Sequence, residues 1–266
     1  MLFGEKEIDL IENIQLLYKV GIQRIVLLPS PTSELEGIVD KVCNKDEWTR
    51  WTDSSGKSDP PPDFYSDEYK LMMDVMRVND HEQKGKKGKL HNPSMAHEKE
   101  MYRELEQAGI IEQFPDAKVF LSGCTQLPTY EDHNYDLYRK HFKRVVSDHI
   151  DSIPLYKGNH PGYKVIFFIF DESSAYFEAE LPPDTKKQFS KGEKMSGQPH
   201  VSFLDEAFLD VFVDKGIDYL FWYTPYKMFE HIEPPLELPS LCVYDLSKRQ
   251  TQRISYDESR MSSVEI

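Results

Sequence analysis

The run YKVIFFIF (163–170) constrains the fold of this chain more than any other stretch. Its apolar core, Val165 to Phe170, is too short to span a bilayer, which takes about 20 residues. It is also too continuous for a strand with one wet face, which would alternate apolar and polar side chains. The run therefore predicts a strand buried on both faces, and a sheet of that kind needs helices to cover it.

The rest of the sequence supplies both kinds of element. Strand-like segments lie at 22–28 (IQRIVLL), 69–78 (YKLMMDVMRV), 117–123 (AKVFLSG), 218–224 (DYLFWYT) and 241–246 (LCVYDL), with a further candidate in EWTRWTD (47–53). A helix is expected over 4–20, where Ile8, Ile11, Ile14 and Tyr18 recur at spacings of three and four and Gly21 ends the pattern. A second is expected over 33–43, and a third begins at Ser94, with Met101, Leu105 and Ala108 on one face. The clearest covers 134–153, where Tyr135, Tyr138, Phe142, Val145, Val146, His149 and Ile153 trace one stripe. Leu204, Phe208, Val211 and Phe212 mark another. Strands alternating with helices predict a single α/β domain over 1–246, with a mixed sheet flanked by helices on both faces. Residues 181–200 are expected to be a mobile insertion and 247–266 a polar tail that frays.

Composition limits the function classes. With 32 basic and 46 acidic residues the formal charge is −14. A surface built wholly for nucleic acid would be basic, so any contact with phosphate must be local. The three cysteines, Cys43, Cys124 and Cys242, form no CxxC pair and fit a reducing compartment. With no leader or membrane segment visible, a cytoplasmic protein is expected. No Walker loop, GxGxxG or HExxH motif is present.

The residues that invite chemistry begin in PPDFYSDEYKLMMDVMR (61–77). Asp63 stands before a strand and Asp74 within it, and a hairpin would bring them to one place. Two carboxylates are what a hard divalent cation needs, with water and substrate phosphate completing its shell. On a regular strand Lys70, Met72, Asp74 and Met76 share a face, and Arg77 points the other way. Lys70 is thus the better-placed cation to meet charge developing on a phosphate, and Arg77 would need a bulge. The loop that follows carries Lys84, Lys86, Lys87 and Lys89 interleaved with Gly85 and Gly88. Glycines admit an anion close to the backbone and lysines neutralise it, so the run reads either as a phosphate grip or as a solvated surface loop. Asp74 also reads as a polar position on an exposed strand face, or as a partner for Arg77 across a bend.

The pair Pro62–Asp63, followed by an apolar strand carrying Asp74-Val75-Met76-Arg77, resembles the PD-(D/E)XK nuclease superfamily. The resemblance covers about sixteen residues. It implies a metal-dependent phosphodiesterase acting on nucleic acid, with magnesium held by Asp63 and Asp74 and assisted by the carbonyl of Val75. The family pattern places a lysine two residues after the second acid, and this chain has Met76 there. The catalytic cation would have to move to Lys70 or Arg77.

Three further segments carry weaker signals. Asp171 and Glu172 follow the central strand, at the carboxyl edge where open α/β sheets favour ligands. Ser173, Ser174 and Asp205 would join them there, or Asp171 simply caps a turn. Cys124, with His133 and His141 downstream, reads as a thiol nucleophile or as a buried cysteine. Tyr219, Trp222, Tyr223, Tyr226 and Phe229 read as a stacking platform or as a core strand. The reading from another class is a non-catalytic binding or interaction protein.

Overall fold

A computed structural model describes residues 6–21, 24–56, 62–80, 83–84, 90–91, 93–113, 135–180, 197–225, 227–229, 236–248 and 252–264. In chain order the elements begin with α1 (Glu7–Val20), β1 (Ile25–Leu28) and α2 (Ser33–Cys43). Then come β2 (Thr52–Asp53), β3 (Phe64–Ser66), β4 (Leu71–Val78), β5 (Gln83–Lys84) and β6 (Leu90–His91). Helices α3 (Pro93–Gln107), α4 (Ile110–Gln113) and α5 (Tyr135–Asn159) precede β7 (Lys164–Asp171), β8 (Tyr176–Ala179) and β9 (Gly197–Pro199). A short α6 (Glu206–Leu209), β10 (Tyr219–Tyr223), β11 (Met228–Phe229), β12 (Leu236–Glu237), β13 (Leu241–Asp245) and β14 (Met261–Ser263) complete the order.

The main sheet has seven strands in the order β1-β13-β10-β7-β4-β3-β2. Its centre is parallel: β7 lies between β4 and β10 and runs with both. Parallel neighbours need a crossover, and α5 lies on the path from β4 to β7. The β2–β3–β4 edge is an antiparallel meander, and β13 runs against β10. The sheet is therefore mixed.

The central strand is buried on both faces. Val165, Phe167 and Ile169 point to one core and Ile166, Phe168 and Phe170 to the other, each 0–1% exposed. On the first face Tyr138, Phe142, Val146 and Tyr156 of α5 cover the sheet, joined by Phe208. On the second, Leu10, Ile11 and Ile14 of α1 and Leu35, Ile38, Val39 and Val42 of α2 do so. Local chemistry fixes the helix ends. Thr32 accepts a hydrogen bond from the Leu35 N–H at 3.2 Å and caps α2. Gly21, with φ +69°, ends α1 in the left-handed conformation.

Several local expectations change. EWTRWTD is a 3-10 turn over Lys45–Arg50 followed by the short β2, because Trp48 and Trp51 donate from their indoles back to the carbonyls of Val42 and Lys41. The clearest helix runs past Pro154 to Asn159. The C-terminal segment is not a free polar end: β14 pairs antiparallel with β8, and Ile254 bridges to Asp205. At 197–199 the expected insertion holds β9, which pairs with β8. Residues 181–196 and the expected strand at 117–123 lie outside the described residues.

Candidate functional site

The β3–β4 register places Phe64 opposite Met73, so the preceding Asp63 stands across from Asp74. The hairpin therefore brings the two predicted metal ligands together. Asp63 Oδ2 accepts the Val75 N–H at 2.8 Å. The carboxyls of Asp63 and Asp74 are close enough for each to act on the other's charge. Burial and the neighbouring charge of Asp74 push Asp63 up to about 8, against the opposing pull of the Val75 N–H. The pair therefore favours one shared proton, which a bound cation would displace.

Asp74 is only 3% exposed and faces α5. Two side chains from that helix meet its Oδ2: His149 Nδ1 at 2.6 Å and the Tyr156 hydroxyl at 3.1 Å. They are seven residues apart, two helical turns, and so share the sheet-facing side. Burial works against charge on His149, but hydrogen bonding to Asp74 and the charges of Asp74 and Asp63 prevail and raise it. The His149 side chain keeps 30% of its surface in solvent. An imidazole held at Nδ1 by a carboxylate, with part of its side chain in solvent, has the arrangement of a general acid or base.

Neither predicted cation joins this group. Lys70 is not in the strand: β4 begins at Leu71, and Lys70 occupies the preceding turn with φ +53°. Period-two geometry does not extend through a left-handed residue, so Lys70 and Asp74 do not share a strand face. The Lys70 ammonium instead lies 4.9 Å from the Tyr163 ring centroid. Arg77 does project to the opposite face, where Nε and Nη2 reach the Glu172 carboxylate at 2.9 and 2.7 Å. Lys84 falls in β5, and its side chain, like Lys86, Lys87 and Lys89, lies outside the described residues. So does Cys124.

The other sequence candidates meet at the carboxyl edge of the parallel strands. Asp171 is completely buried, and its Oδ2 accepts from Tyr138 (2.6 Å), Trp222 Nε1 (2.9 Å) and Lys227 Nζ (2.9 Å). Its Oδ1 takes the backbone N–H and hydroxyl of Ser173. Burial would raise this carboxyl, but the Lys227 charge and these donors hold it below the usual range. Asp205 lies close by, holding His200 at 2.8 Å and the Tyr135 hydroxyl at 2.6 Å. Glu172 belongs to the Arg77 pair on the other face. The Asp171 group is a saturated buried network, and Trp222 and Tyr223 are core residues rather than a platform.

Sequence reasoning missed His149, Tyr156 and Lys227 as polar partners. His149 was legible in one respect, since it continues the apolar stripe of the longest helix, but the more deeply buried His141 on the same helix shows that such a position does not by itself mark a site. Lys227 carried no signal, because it lies beyond β10 and is brought to Asp171 only by the fold.

Magnesium is tested by the donor set. Two carboxyls facing each other on adjacent strands are oxygen donors of the kind a hard divalent cation takes, though they are two ligands and not a full shell. Among the described residues no three His, Cys, Asp or Glu side chains form a metal-holding group. An ion here would rest on Asp63 and Asp74, with water completing its shell. No described helix is long and apolar enough to cross a membrane. In comparisons with family models, curated proteins and solved structures, nothing matches this chain.

Proposed function

We propose that the chain is a nuclease-like, magnesium-dependent phosphodiesterase acting on nucleic acid, with Asp63, Asp74 and His149 at its reacting centre. The observation that carries this reading is the cross-strand meeting of Asp63 and Asp74 with His149 on Asp74. A magnesium ion held by the two carboxyls would supply Lewis-acid polarisation of the phosphate and an activated water. His149 takes the place of the motif lysine. It arrives from α5 rather than from β4, it is cationic when protonated, and its part-exposed ring can meet charge developing on phosphate oxygens. Tyr156 holds Asp74 in position from the same helix.

Purified protein incubated with labelled DNA and RNA in Mg²⁺ or Mn²⁺ tests the reading. Cleavage should appear with the metal and fall by at least about a hundredfold in Asp74→Ala and His149→Ala, the scale typical of a lost acid–base or charge-stabilising group. No cleavage, or equal cleavage by a folded Asp74→Ala variant, would overturn it. The rival is a non-catalytic interaction protein in which Asp74, His149 and Tyr156 are a structural network. The placement of Lys70 and Arg77 away from the acids favours that rival, and it predicts no turnover under any metal.

A further inference from the structure

The site continues along α5 into a second group of side chains. His149, Ile153, Tyr156 and His160 follow spacings of four, three and four, so they lie along one side of the helix. His160 is ~16 Å along the axis from His149. There its ring meets Tyr65 of β3 at 4.4 Å between centroids and Tyr163 at 5.1 Å. All three rings are half-buried, and Tyr65 and Tyr163 pack against the same core face that α5 covers. The Lys70 ammonium lies 4.9 Å from the Tyr163 centroid and 3.4 Å from its hydroxyl.

Lys70 is the informative member. It adopts φ +53°, a left-handed backbone that glycine or asparagine accepts with least strain. The turn carries the lysine ammonium to Tyr163 and away from Asp74. The nearby acids are engaged: Asp67 accepts the Tyr163 hydroxyl, and Glu68 lies 3.1 Å from Arg50 Nε. The exposed Lys70 ammonium thus has a ring and a hydroxyl as its described contacts, and retains charge to offer an anion.

Resting on the phosphodiesterase reading, we propose that Tyr65, His160, Tyr163 and Lys70 form a base-stacking subsite, and that the substrate of the Asp63–Asp74 centre is single-stranded nucleic acid. Aromatic rings beside a cation accept an unstacked base on the ring and a phosphate on the ammonium, without reading sequence. A duplex keeps its bases stacked on each other and cannot use the rings in this way.

Fluorescence anisotropy of labelled single-stranded DNA and RNA, and of a duplex of equal length, tests the proposal when run without a divalent metal so that nothing is cleaved. The wild-type chain should prefer either single strand to the duplex by at least about tenfold. His160→Ala should weaken single-strand binding by about tenfold. Lys70→Gly should weaken it severalfold and reduce the salt slope by about one phosphate contact. The same Lys70→Gly change should leave thermal stability equal or higher, because glycine relieves the backbone; a purely structural lysine would show no loss of binding.

Equal binding of duplex and single strand, or unchanged binding by His160→Ala and Lys70→Gly, would overturn the subsite. If the wild type cleaves nucleic acid and those variants bind and cleave as well as it does, the subsite fails while the reacting centre stands. If the wild type neither binds nor cleaves, both fall.

Discussion

Replacing Asp63 by asparagine separates its protonation from its shape. Asparagine keeps an oxygen to accept the Val75 N–H but cannot carry a charge beside Asp74. In the wild type Asp63 moves from the ordinary carboxyl value of 3.8 to about 8 on folding. Between those values the folded chain holds a proton that the unfolded chain has released, so stability falls as pH rises through that window. Each pH step of one is worth about 1.4 kcal/mol, giving a ceiling of about 6 kcal/mol. Asp63 is half-buried and solvent screens part of the effect, so a loss of about 2–3 kcal/mol is expected between pH 5 and pH 8.

His149 adds to the same slope. Its raised value means its contribution is complete below about 6.5 and is lost as pH rises through the folded value. Asp171 and Asp205 act oppositely, since both are held below 3.8; their contribution is present above that value and lost in acid. Urea unfolding at pH 5, 6, 7 and 8 reads the result. Asp63→Asn should match the wild type near pH 5 and exceed it by about 2 kcal/mol at pH 8. Parallel curves for the two proteins would refute the reasoning, because Asp63 would then titrate alike in the folded and unfolded chain.

The buried Asp171–Lys227 pair gives a second prediction: Lys227→Met should cost about 3–5 kcal/mol by chemical denaturation, and Asp171→Asn with Lys227→Met should recover part of it. Tyr156→Phe removes one hydrogen bond to Asp74 and should cost about 1–3 kcal/mol in urea unfolding, because that bond is to a buried acid. Phe168→Ala should cost about 3–5 kcal/mol in the same measurement, since the ring is 0% exposed at the centre of the sheet.

The fold was legible where burial leaves a mark on the sequence. Val165 to Phe170 must satisfy two cores, so the run had to be continuous, and the helices that cover it carry stripes at three- and four-residue spacing. The Asp63–Asp74 meeting was legible as a hairpin with one acid before a strand and one within it. Lys70 was misplaced because alternation assumes an extended backbone, and a single left-handed residue before Leu71 breaks the count. His149 was hidden by its company: among tyrosines, phenylalanines and valines it reads as part of the stripe. Only the packing of α5 on β4 shows that the stripe crosses a buried acid. The Lys227–Asp171 pair lay beyond reading, because 56 residues separate two groups that no periodicity links.

Manganese binding tests the proposed reacting centre most directly, since the ion reports its own ligands. Electron paramagnetic resonance of Mn²⁺ titrated into the folded chain should show one ion bound by the wild type. That ion should be lost in Asp63→Asn and in Asp74→Asn, and retained in Lys70→Gly and Arg77→Gln. An ion bound equally by all five proteins, or by none, would contradict the assignment of Asp63 and Asp74 as the metal-holding pair.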